Sequence, residues 1–271
     1  MIELPIGVFD SGVGGLSVLR RLKKELPCED FIYFADSAYV PYGNKDPELL
    51  RLVVERILHF MLEKGVKAII MACNTSSALF LPHKQADFPI PLFGVIEPIV
   101  KELMKDYSTQ RIGIIANPVT IKSQVYTKLL SQNGRAFQIF SQACPELVPL
   151  IEKGETESSE ARQAVENYLT PLKEEGIDTL VLGCTHYPFL VSIIKKIAGG
   201  EIKVVDPALY AVSELKRGLQ DMGLLKSNGE GRVDYYVSKD PDGFKKRAQV
   251  LLDESLCEVQ LVNPPLLQLL S

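Results

Sequence analysis

The chain contains a diverged second copy of itself, and this constrains its fold more than any other feature. GVKAIIMACNT at 65–75 aligns with GIDTLVLGCTH at 176–186, each cysteine standing eight residues after a glycine at the end of a β-rich run. IGVFDS at 6–11 aligns with IGIIAN at 112–117, FIYF at 31–34 with FQIF at 137–140, and VIEP at 95–98 with VVDP at 204–207. The offsets run from 106 to 111 residues and the order of segments is the same in both copies. A period this long, occurring twice, marks a duplicated domain and not a solenoid.

Within each copy, short β-rich runs alternate with longer helical patterns. The periodicity predicts strands near 5–10, 31–35, 66–72, 92–96, 111–115, 137–141, 177–183 and 202–206, with helices such as 14–26, 47–64, 98–106, 119–132 and 158–175 between them. A β-α order repeated in this way implies parallel sheets covered on both faces. RVDYYVSKDPDGFKKRAQVLLDE, near the C-terminus, reads as one more strand, a turn and an amphipathic helix. The expected fold class is therefore α/β, with two pseudo-symmetric α/β domains and mainly parallel sheets; if the domains face each other, the active site falls in the cleft between them.

Composition narrows the partners. At 271 residues and 46% apolar content the chain can bury substantial cores. Its net charge is only −4 and its Lys and Arg are scattered, which argues against nucleic acid and against an acidic membrane surface. MIELPIGVFDSG lacks the layout of a signal peptide, and no apolar run reaches the length of a membrane span, so a cytoplasmic protein is expected. Five cysteines, odd in number and never in a C-x-x-C pair, argue against a disulfide framework or a zinc ribbon.

Ligands of parallel α/β sheets bind beyond the carboxyl ends of the strands, and both repeated cysteines stand there. Cys28, Cys144 and Cys257 read as small core hydrophobes. Cys73 and Cys184 do not: thiols at equivalent repeat positions, each followed by polar residues able to cap a helix, are poorly explained by packing. Two equivalent bases facing one cleft suit the inversion of a carbon centre, one removing a proton from one face and the other returning a proton to the opposite face. Near neutrality a thiol serves as base once helix N-termini or cations lower its pKa from about 8.5. CNTSS at 73–77 offers a helix start beside Cys73, and in an extended chain His186 would point the same way as Cys184. DSGVGGLSVLRRL at 10–22 lacks the Gly-Lys-Ser/Thr of a P-loop, so a carboxylate suits its amides better than a nucleotide does. Further donors occur in PYG at 41–43, in NTS at 74–76, and at Thr120 and Thr185. Asp10, Ser11 and Glu152 could hold an ammonium group or relay protons.

FDSGVGGLSVL, VPYG, ACNTSS, CPELVPLIEKG, GCTHYP, VVDPA and SKDPDGFKKRA, in this order over nearly the whole chain, resemble glutamate racemases of the cofactor-independent aspartate/glutamate racemase family. The resemblance implies two α/β domains, residues 1–97 plus 208–271 and residues 98–207, and neither cofactor nor metal. It implies that Cys73 and Cys184 are the paired acid/bases acting on L- and D-glutamate, assisted by Asp10, His186 and Glu152. Asp10, Ser11, Pro41, Tyr42, Gly43, Asn74, Thr75, Thr120 and Thr185 would line the substrate pocket, with Asn74, Thr75 and Thr185 on the α-carboxylate. His186 stands where aspartate racemases commonly carry glutamate, which favours glutamate as substrate. The resemblance further implies a homodimer and a product that feeds cell-wall peptidoglycan synthesis. Asn117 departs from a threonine common in the family, and YGNKD from a serine-bearing YGxxS; an Asn117 contact to the substrate carboxylate would use an amide donor. Rival readings are a pyridoxal phosphate enzyme, which needs a Schiff-base lysine and a phosphate cup, a Cys184–His186 hydrolase, which leaves Cys73 unexplained, and a non-catalytic amino-acid binding protein.

Overall fold

The two copies build two parallel sheets with the same strand order. This computed structural model describes residues 2–84, 88–106, 108–132, 134–256 and 258–262, without the side chains of Asn44 and residues 82–84; Cys257 lies outside the described residues. In the first copy β1 (Ile6–Asp10), β2 (Phe31–Ala35), β3 (Ala68–Met71) and β4 (Leu92–Gly94) alternate with α1 (Leu16–Glu25), α2 (Pro47–Glu63), α3 (Asn74–Lys84) and α4 (Ile96–Lys105). In the second, β5 (Arg111–Ala116), β6 (Gln138–Ala143), β7 (Thr179–Gly183) and β8 (Lys203–Val205) alternate with α5 (Pro118–Ser123), α6 (Val125–Ser131), α7 (Leu147–Glu152), α8 (Ser159–Glu174), α9 (Val191–Ala198) and α10 (Pro207–Asp221). The orders are β2-β1-β3-β4 and β6-β5-β7-β8, every pair parallel. After α10 the chain returns to the first sheet: β9 (Val233–Val237) pairs with β2, α11 (Pro241–Leu252) follows, and β10 (Val259–Leu261) pairs with β9.

Helix starts follow local chemistry. Asp46 accepts from the Glu48 and Leu49 amides ahead of Pro47, Ser158 accepts from Ala161, and Asp206 accepts from Ala208 ahead of Pro207. The single helix expected over 119–132 is two, because Gln124 sits in the left-handed region at φ 55° and separates α5 from α6.

Alternation along the strands sorts apolar side chains into layers. Ile6 and Val8 on β1 and Ile112 and Ile114 on β5 belong to one core that both sheets share, filled from α1, α4, α10 and α11. Phe9, Ile32, Phe34 and Ile69 face the other side of the first sheet, against α2 and α3. Ile115, Leu180 and Leu182 face the other side of the second sheet, against α7, α8 and α9. Each sheet with its helices forms a lobe, and the shared core presses the lobes together so that the carboxyl ends of β1, β3, β5 and β7 meet. No helix among the described residues is long and apolar enough to cross a membrane.

Candidate active site

Cys73 follows the end of β3 and its carbonyl accepts from the Ser77 amide, which makes it the residue that starts α3. Cys184 follows β7 and its carbonyl accepts from Tyr187, at the start of the 3-10 turn Tyr187–Leu190 that leads into α9. Both thiols line one cavity of about 270 Å3. Ser11, Val40, Pro41, Tyr42, Asn74 and Thr75 line it from the first lobe, and Asn117, Val148, Thr185 and His186 from the second. A larger groove of about 780 Å3, between Leu81, Phe93, Glu97, Val125 and Glu214, includes neither thiol in its lining. The smaller cavity, and not the larger groove, gathers both thiols and His186, and such a cluster of titratable groups marks a candidate active site.

The duplication extends to the partners of the thiols. Ser11 and Asn117 are equivalent in the aligned IGVFDS and IGIIAN segments. The Cys73 thiol donates to Ser11 Oγ at 3.8 Å, and Asn117 Nδ2 donates to Cys184 Sγ at 3.5 Å. Each thiol therefore has a polar neighbour on the first strand end of its own copy. In the other flanks the copies differ. Burial pushes the Cys73 thiol up to about 12, with the Asp10 charge adding and the Ser76 side chain and amide opposing. Cys184 instead lies 3.9 Å from His186 Nδ1, whose Nε2 is 2.8 Å from Glu152 Oε1. Burial disfavours an imidazolium, yet Cys184 and Glu152 together raise His186 to about 10. The balance favours the protonated ring beside the thiol. Burial would raise Glu152 too, but His186 and Arg247 hold its carboxyl below the usual range. Where the sequence leads one to expect an extended chain, His186 has a φ of −76° and a ψ of −32°, which are helical, and a turn instead of a strand places its ring beside Cys184.

Asp10, Thr120, Gly43 and Glu152 stand behind the lining. Asp10 is fully buried at the end of β1, accepting from the Gly12 amide at 3.0 Å and from Thr185 Oγ1 at 3.0 Å, and burial raises its carboxyl. Thr120 shares a hydrogen bond with Thr75, hydroxyl to hydroxyl at 2.9 Å. Tyr126, which sequence reasoning missed, donates to Asn74 Oδ1 at 2.8 Å. Tyr42 donates to Asp36 at 2.6 Å and Ser238 donates to the other oxygen of that carboxyl at 2.6 Å, so the segment after β9 fixes the 3-10 turn Tyr42–Asn44. Contacts between lobes are tight. A Cβ on Gly43 would come within 2.9 Å of Asn117 Cβ, and one on Gly14 within 2.3 Å of His186 Nδ1. Cys144 is buried in the second lobe, as core packing predicts, and Cys28 is half-buried. Among the described residues no group of three or more His, Cys, Asp or Glu is placed to hold a metal ion.

Two lobes bring a thiol each to one cavity, backed by a histidine and buried carboxyls, and the chain as a whole is similar to known proteins. The pattern of the Asp/Glu/Hydantoin racemase family matches residues 6–215. The chain is 44% identical over 252 residues to the glutamate racemase of Desulforudis audaxviator, covering 90% of this chain and 92% of that one. It superposes on a glutamate racemase isoform of Bacillus anthracis with a TM-score of 0.93 and 34% identity, covering 98% and 99% of the two chains. Glutamate racemase of Francisella tularensis in complex with D-glutamate superposes with a TM-score of 0.91 and 32% identity, over 98% and 99%. The chain belongs to the Asp/Glu/hydantoin racemase family. It is an isomerase of the racemase class.

Proposed function

We propose that this enzyme interconverts L- and D-glutamate by two-base proton transfer at the α-carbon, with Cys73 and Cys184 as the acid/base pair. The observation that carries the reading is the arrival of both thiols in one cavity from matched strand ends on different lobes. The glutamate assignment is supported by the relatives named above and by the D-glutamate held by the Francisella enzyme. In one direction the Cys184 thiolate, paired with the His186 cation and the Asn117 amide, takes the α-proton. The C–H electron pair delocalises into the carboxylate, and the Cys73 thiol delivers its proton to the opposite face. Cys73 is then the thiolate and Cys184 the thiol, and the reverse direction restores them. Donors placed on the developing enediolate charge are worth about 3 kcal/mol each in an enclosed site; Asn74, Thr75 and Thr185 occupy the cavity wall where such a carboxylate would lie. The reaction draws on these side chains and needs no cofactor. By family resemblance the enzyme works in the cytoplasm as a homodimer and supplies D-glutamate for peptidoglycan synthesis, and residues 98–207 form the second domain.

The test is incubation with L-glutamate in deuterated water. D-glutamate carrying α-deuterium is expected, and absence of product while L-aspartate racemises would overturn the substrate. Cys73→Ser and Cys184→Ser should each lower racemisation about 1000-fold or more. Each should still eliminate chloride from one enantiomer of a glutamate analogue chlorinated at the β-carbon, and the two variants should differ in the enantiomer they take. A shared preference would refute the division by face.

A further inference from the structure

Glu152 closes the second lobe's α7, whose Leu147, Val148 and Ile151 are buried there, yet two of its contacts come from the first lobe. The Val13 amide faces its carboxyl, and Arg247 Nε on α11 lies 3.3 Å from Oε2. The opposite oxygen, Oε1, is the one 2.8 Å from His186 Nε2. Arg247 Nη1 lies 3.7 Å from Asp240 Oδ2, and Asp240 caps α11 by accepting from Gly243. Phe244, Ala248 and Leu252 anchor α11 in the shared core, so the guanidinium is presented from a fixed helix. An unbroken series of contacts therefore runs from Asp240 through Arg247, Glu152 and His186 to Cys184, and it crosses from one lobe to the other at the Arg247–Glu152 pair.

We propose that Arg247 is a positioning residue that holds Glu152 against His186 from across the lobe boundary, so that the competence of Cys184 depends on a side chain of the other lobe. The inference rests on the reading of Cys184 as one of the two acid/bases. The chain of contacts gives it a polarity. Cys73 lies outside the series, with Ser11 and Ser76 as its polar partners. A charge removed at Arg247 releases a carboxylate that orients an imidazole, and that imidazole serves one thiol. A merely structural role for Arg247 would loosen both lobes and affect both thiols alike.

The experiment sets Arg247→Met and Arg247→Lys in the Cys73→Ser and Cys184→Ser enzymes and follows chloride elimination from the β-chlorinated glutamate analogue. In this half-reaction the thiolate takes the α-proton, the C–H electron pair becomes the Cα=Cβ bond and chloride leaves. Arg247→Met should lower kcat of the Cys73→Ser enzyme about 100-fold with little change in KM, leave the Cys184→Ser enzyme within about twofold, and be largely rescued by Arg247→Lys. A second readout needs no turnover. The His186 Nε2 proton held by Glu152 should give a slowly exchanging downfield NMR signal in wild-type protein, lost in Arg247→Met and retained in Arg247→Lys. Equal loss in both single-cysteine enzymes, no loss in either, or a signal indifferent to Arg247→Met would overturn the assignment. If neither single-cysteine parent eliminates chloride while the signal responds as expected, the two-base reading fails and the Arg247 contact stands.

Discussion

His186 is where the two halves of the site stop being equivalent. Burial alone would neutralise its ring, but Cys184 and Glu152 outweigh burial and favour the protonated form. A histidine raised from 6.5 to about 10 on folding adds stability that is fully present below the unfolded value and is lost as pH climbs through the folded one. Urea midpoints measured across that window should fall for wild-type protein and fall less for His186→Gln; identical slopes would mean that the ring is not a cation in the folded chain. Both thiols were legible in the sequence because duplication singles them out from the other cysteines. Asn117 was legible only as a departure from the family. Its place opposite Ser11 in the aligned copies was in the sequence all along, and that equivalence points to a thiol partner where reading the residue singly suggests a substrate contact. Arg247 left no such trace, because nothing in the order of residues says that α11 turns a guanidinium onto α7.

Among the elements, the turn from β1 into α1 brings the lobes into direct contact beside the cavity. Gly14 presses on Thr185 and His186, Ser17 Oγ donates to the Thr185 carbonyl at 2.9 Å, and Asp10 accepts from the Thr185 hydroxyl. Gly12 and Gly14 serve contact between lobes. Gly14→Ala would place a methyl 2.3 Å from His186 Nδ1 and 2.5 Å from Thr185 Oγ1, which only separation of the lobes or displacement of the histidine can relieve. Overpacking of this kind costs about 1–3 kcal/mol, and displacement at the reacting groups about 100-fold in kcat. Thermal melts and racemisation rates of Gly14→Ala would register both, and an unchanged kcat would show that the turn does not set the closed geometry. Strand and helix order followed from periodicity, since apolar alternation is a local property. The division of 119–132 into α5 and α6 did not, because a left-handed Gln124 carries no glycine to announce it. The missing break matters to function: α5 holds Thr120 behind Thr75, and α6 presents Tyr126 to Asn74.

At the scale of the molecule, the shared core makes two gene-like copies behave as one body. α4 and α10, the helices that carry the chain out of β4 and out of β8, pack on each other, and α10 packs on α1 as well, between the inner faces of both sheets. The cavity that Cys73 and Cys184 line from different lobes depends on this arrangement, because a lobe that unfolded alone would remove one of its two walls. Domains joined by a large apolar interface unfold together, and those joined by a polar one separate. Leu215 on α10, fully buried in the shared core, tests which applies. Leu215→Ala should cost about 2–5 kcal/mol and lower the melting temperature by about 2–4 °C per kcal/mol. Hydrogen exchange followed by mass spectrometry over a urea series should then show peptides from β1 and from β5 losing protection at one urea concentration, in wild-type protein and, shifted down together, in the variant. Loss of protection in one sheet ahead of the other would mean that the lobes fold separately, and that the meeting of the two thiols depends on the cavity contacts and not on the core.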